Sequence, residues 1–151
     1  MSVYRHIVVT VDGSAATAEA LQHAVHLARQ STAALTGVFV LDGNWADFIG
    51  NDWQSSKGAR QGFLDHVRAE QEAQAVAAQD QFEIATAGLE NAAFSLLGGD
   101  PTEELIQLAN APTTDLMIVS RCVFQVSGRP SLKALAKTLA QKATRPLLLL
   151  S

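Results

Sequence analysis

Short, nearly unbroken apolar runs alternate along this chain with longer stretches in which apolar residues return every three or four positions. His6-Ile-Val-Val-Thr-Val11 is β-branched and almost wholly apolar, which suits a strand buried on both faces, as in a parallel sheet. It runs into Asp12-Gly13-Ser14, a turn in which Ser14 is placed to cap the following helix. Leu21, Ala24, Val25 and Ala28 recur at helical spacing, so 15–31 is predicted as an amphipathic helix. A second buried strand is expected over 34–41, interrupted by Gly37.

Residues 42–56 begin as a turn but carry Trp45, Phe48, Ile49 and Trp53, a spacing that aligns them on one face of a short helix. From 57 to 87 the chain is rich in Ala, Gln and Glu, strong helix formers. Ala92 to Leu97 is a third strand. Gly98-Gly99 then turns the chain, Asp100 caps, Pro101 takes the first helical position and Glu103 the third, a complete helix start. Leu105, Leu108 and Ala109 form its inner face, and Pro112 ends it. Leu116 to Val119 is a fourth strand, 120–130 a loop, and Ser131 the expected cap of a last helix with Leu132, Leu135, Leu139 and Ala143 inward. Leu147 to Leu150 closes the chain as a fifth strand. This strict alternation predicts an α/β fold: a Rossmann-like open sheet of five mainly parallel strands, with helices on both faces and right-handed crossovers. Ligands in such folds bind beyond the carboxyl ends of the strands, at the switch in strand order.

Length and charge narrow the function. At 151 residues, 48% hydrophobic and 17% charged, the chain reads as one globular domain over 1–151. A net charge of −4 and the lack of a basic stripe argue against nucleic acid and anionic membranes as partners. Apolar runs such as Leu147 to Leu150 are far too short to span a bilayer. A single cysteine, Cys122, excludes an internal disulfide framework and points to a reducing, cytoplasmic setting.

Five segments then stand in order at consistent spacing: Val11-Asp12-Gly13-Ser14; Val38-Phe39-Val40-Leu41-Asp42; Gly99-Asp100-Pro101 with Ile106; Thr114 to Val119; and Ala143-Thr144-Arg145-Pro146 before the four leucines. Together they resemble the universal stress protein family along the whole chain, most weakly over 42–90. The resemblance implies strand order 3-2-1-4-5. It also implies that Asp12, Val40, Val119 and Ser120 match the positions that hold base and ribose in ATP-binding members. For Asp12 a second reading stands beside the ligand role: satisfying N–H groups within its own turn. Those members carry a Gly-x2-Gly-x9-Gly-[Ser/Thr] loop that falls here on Ser120, Val123, Lys133 and Ala134. All three glycines and the hydroxyl are missing, so the bare backbone that would lie against phosphates is covered by side chains. No cofactor is therefore expected, with ATP or AMP as the alternative ligand.

Other candidates are weaker. Arg129, Ser131 and Lys133 at the start of the last helix are possible anion contacts, set against an ordinary solvated loop. Cys122 beside Arg121 is a candidate redox thiol without an evident partner. His23 and His26 share a helix face but lack a third metal ligand, and His6 and His66 stand alone, so no metal site is assigned. No phosphate loop, nucleophile elbow or dinucleotide fingerprint is present, and no catalytic residue is assigned. The all-leucine last strand lies at a sheet edge, an invitation to pair with a second copy. The resemblance implies the same interface, a homodimer through Leu147 to Leu150. The sequence thus points to a non-enzymatic stress-response protein acting as a homodimeric signalling or binding module, with an ATP or AMP sensor using Asp12 and Val40 as the alternative. A nucleotide-dependent hydrolase or transferase is the third reading.

Overall fold

The computed structural model describes residues 4–50, 57–124 and 129–150. Its elements run β1 (His6–Thr10), α1 (Ala15–Ser31), β2 (Ala34–Asp42), α2 (Trp45–Ile49), α3 (Lys57–Ala85), β3 (Ala92–Gly99), α4 (Pro101–Ala109), β4 (Leu116–Ser120), a 3-10 turn (Pro130–Ala134), α5 (Leu135–Lys142) and β5 (Leu147–Leu150). The five strands form one sheet in the order β3-β2-β1-β4-β5, and every pairing is parallel. The sheet is thus wholly rather than mainly parallel. The order reverses between β1 and β4, which places the switch point beside Asp12 and Ser120.

β1 and β4 carry the centre of the core. Ile7, Val8, Val9, Met117, Ile118 and Val119 are all fully buried, as expected for strands covered on both faces. α1 and α3 pack together over one face, α1 against β1 and β4, α3 against β2 and β3. α4 and α5 pack together on the other side, with α4 against β2 and β3. Along α3 the inward residues are Val67, Gln71, Ala75, Ala78 and Phe82, a three-to-four spacing over nearly the whole helix. Gly37 is required by close approach: a Cβ there would lie 2.4 Å from the ring of Phe82. The strand accepts glycine so that α3 can seat its phenylalanine on the sheet.

Two expected caps take other partners. Ser14 occupies the N-cap position of α1 but makes no capping bond; its hydroxyl donates to Asp12 instead. Ser131 lies inside the 3-10 turn, and Ala134 is the N-cap of α5. Asp100 does cap α4, accepting from the amide of Glu103 at 3.0 Å. Among the described residues, no helix is long and apolar enough to cross a membrane.

At the opposite end of the sheet Asp115 accepts from the amides of Arg5 and His6, at 2.7 and 3.0 Å. These bonds, Arg5 first and then His6, hold its carboxyl below the ordinary value of 3.8, with Arg145 adding to them against a smaller opposing effect of burial. A lowered folded-state pKa gives stability that is present above the unfolded value and lost as pH falls through the folded one. Asp115→Asn should therefore lower stability at neutral pH and flatten its decline below about pH 4, measured as urea midpoints across pH. Gly37→Ala should cost about 1–3 kcal/mol in the same assay, because buried Phe82 has no room to yield.

Candidate functional site

The carboxyl end of β1 is tied down by its own residues. Asp12 is 1% exposed, and both of its carboxylate oxygens are engaged. Oδ1 accepts from the Ser14 amide at 2.9 Å, from the Ser14 hydroxyl at 2.5 Å and from the Thr17 hydroxyl at 3.0 Å. Oδ2 accepts from the Phe124 amide at 2.9 Å. Of the two readings of Asp12, turn and ligand, the turn-satisfying one is what the geometry displays, and it extends across the switch point to the loop after β4. α3 completes the knot. Gln81 accepts from the Gly13 amide and donates to the Ser14 carbonyl. Gly13 sits at φ 81, where a Cβ would meet Ala77 at 2.9 Å, so both conformation and space demand glycine.

The remaining positions implied for base and ribose are equally closed. Val40, Val119 and Ser120 are at most 2% exposed. Ser120 Oγ accepts from the Cys122 amide at 3.2 Å, and Val123 is buried. Phe124 turns inward at φ 61, a left-handed conformation costly for an aromatic residue. Its ring meets Phe39 edge-on, centroids 5.5 Å apart. The hollow left between Phe39, Val40, Phe124 and Leu132 measures about 20 Å³. That is close to the space one water needs, whereas small-molecule sites run to about 300 Å³ or more.

Arg129 seals the outer side. It is not an ordinary loop cation: its side chain is 9% exposed and lies between Asp42, at the end of β2, and Asp100, the cap of α4. Nε donates to Asp42 Oδ2 at 2.5 Å, Nη2 to Asp100 Oδ1 at 2.8 Å and Nη1 to the Ser131 hydroxyl at 2.9 Å. Burial alone would lower its pKa, but the hydrogen bond and charge of Asp42, then those of Asp100, outweigh it and hold the guanidinium above its usual range. The three candidate anion contacts are thus not assembled around one open point. Arg129 is taken by two carboxylates, Ser131 accepts from Arg129, and Lys133 is exposed.

The other sequence candidates lie elsewhere. Trp45 packs edge-on against Phe63 of α3, centroids 6.1 Å apart, and Ile49 is half-buried; Trp53 lies outside the described residues. Cys122 is an exposed free thiol. His23 and His26 are exposed on α1, and His6 is held by Thr36 and Thr113. Among the described residues no group of three or more His, Cys, Asp or Glu is placed to hold a metal.

The family model for universal stress proteins matches residues 3–150. The chain belongs to the universal stress protein family. Solved structures agree with this fold. A universal stress protein from Lactobacillus plantarum superposes with TM-score 0.70 at 21% identity, covering 98% of both chains. One from Archaeoglobus fulgidus, solved in complex with dAMP, gives TM-score 0.64 at 17% identity over 99% of each. A third, solved in complex with cAMP, gives TM-score 0.61 at 21% identity over 99% of this chain and 98% of its own. Among curated proteins none matches the chain. In this universal stress protein, then, the positions beside the switch point are packed with the chain's own side chains.

Removing Arg129 would leave Asp42 and Asp100 facing each other with no cation. Arg129→Met should cost about 3 kcal/mol. Asp42→Asn in that background should recover much of the loss, since it removes one of the stranded charges. Urea unfolding of the three proteins checks both.

Proposed function

We propose that this universal stress protein acts without nucleotide, as a non-enzymatic, homodimeric binding module. The observation that carries the reading is the filled cleft. Phe124 and Leu132 occupy the ground beside Val40, Asp12 spends its carboxylate on the protein's own donors, and Arg129 closes the outer wall. A nucleotide would have to displace an aromatic ring and a paired guanidinium before making a contact of its own, which subtracts directly from its affinity.

Dimerisation is supported by β5. It is the edge strand, four leucines long and half-buried throughout. The Met117 amide donates to the Pro146 carbonyl, and the Arg121 amide to the Leu150 carbonyl. Residues 146, 148 and 150 therefore turn their backbone toward β4, and by alternation 147 and 149 turn theirs outward. An antiparallel copy of the same strand would satisfy those groups and cover the leucines.

A second reading, an adenine-nucleotide sensor using Asp12 and Val40, draws on the likeness to proteins solved with cAMP and dAMP. It also draws on the strained φ of Phe124, and it requires that ring to leave Phe39. Calorimetric titration with ATP-magnesium, AMP and cAMP separates the two. No saturable binding at micromolar concentration is expected of the unaltered chain, and Phe124→Gly should raise affinity by relieving both strain and occupancy. Micromolar binding by the unaltered chain overturns the first reading and leaves the second. In light scattering the protein should run as a dimer, and Leu149→Pro, which deletes an outward N–H only, should run as a monomer of unchanged helicity.

A further inference from the structure

One strand over from the filled cleft, beyond the ends of β2 and β3, the surface opens into a pocket of about 410 Å³. Leu41 and Gly98 form its floor, Trp45 of α2 and Val67 of α3 its apolar walls, and Arg68 and Glu72 its charged rim. Its size falls within the range of small-molecule sites, and its make-up, apolar walls with a few polar groups, is theirs too.

Gly98 marks this space as unusual. Gly37 is needed because Phe82 presses on it, and Gly99 because its φ is 142 and Glu104 lies 2.7 Å from a built Cβ. Gly98 has neither reason: its φ lies outside the left-handed range, and a Cβ there meets nothing within 4 Å. An uncrowded glycine in a strand leaves bare backbone that a ligand or another backbone can approach closely. Leu96, two residues earlier on the same side of β3, is 52% exposed, so α3 leaves this corner of the sheet uncovered.

The rim supplies the charge pattern. Arg68 and Glu72 are one turn apart on α3, yet neither side chain has a hydrogen bond or ion pair among the described residues. The arginine precedes the glutamate, the less favourable order for pairing along a helix, which leaves one cation and one anion at the mouth of the same pocket. Asp42, also at the pocket, is already neutralised by Arg129.

We propose that this pocket binds a small zwitterion with a flat apolar body, of the aromatic amino acid class. Arg68 takes its carboxylate in a two-pronged contact, Glu72 takes its ammonium, and its ring lies beside Trp45 over the bare backbone of Gly98. The pocket shares Asp42, Trp45 and Gln71 with the small hollow beside Phe124, but its floor and charged rim, Gly98, Arg68 and Glu72, are its own.

The test uses the full chain with L-phenylalanine, 3-phenylpropionate and 2-phenylethylamine, followed by calorimetry and by the indole N–H signal of Trp45, assigned with Trp45→Phe. Saturable binding of L-phenylalanine is expected, with each single-charge analogue weaker by about tenfold. Gly98→Val, which fills the floor, should abolish binding while leaving the melting temperature equal or higher, so loss of binding is not loss of fold. Three outcomes overturn the proposal: no saturable binding of L-phenylalanine at millimolar concentration, an analogue binding as tightly as the zwitterion, or Gly98→Val binding unchanged.

Discussion

A carboxylate taken out of water needs donors, and Asp12 draws all of its own from the protein. Three come from the turn it begins and one from the amide of Phe124, on the far side of the switch in strand order. That last bond sets the position of the loop after β4. It brings the Phe124 ring against Phe39, and the hollow left beside the two rings among the described residues is only about 20 Å³. The same demand is met a few ångströms outward by a charge of the other sign, where Arg129 lies between two carboxylates on different strand ends. The carboxyl edge of the sheet, where α/β proteins usually keep their ligands, is held together here by the protein's own polar groups.

Much of the architecture was legible in local pattern. β1 and β4 announce burial on both faces through uninterrupted apolar runs, α1 shows its inner stripe, and the Asp100-Pro101-Glu103 start of α4 forms as read. Strand order came from the family resemblance alone, and the sheet follows it. The two caps that failed did so for one reason: the Ser14 and Ser131 hydroxyls pair with the side chains two residues before them, Asp12 and Arg129, and not with the amides of the helix that follows.

The site was legible only in part. At the positions where the resemblance puts glycines the structure has Ser120 and Val123 buried and Lys133 exposed. What fills the cleft was not legible. Phe124 in a left-handed conformation breaks the usual preference of aromatic residues, and nothing in its neighbours signals it. Arg129 reads in sequence as an ordinary loop cation, because Asp42 and Asp100 stand 87 and 29 residues away. Charge pairing across such separations is a property of topology, and topology is what a one-dimensional pattern carries least.

That separation has a consequence for the chain as it is made. Asp42 and Asp100 are brought to neighbouring strand ends by β2 and β3, all within the first hundred or so residues. Their shared counter-charge arrives only with residue 129. Without it the two acids have no counter-charge between them, and the crevice lacks its outer wall. One late-coming arginine thus joins two strand ends that were laid down long before it.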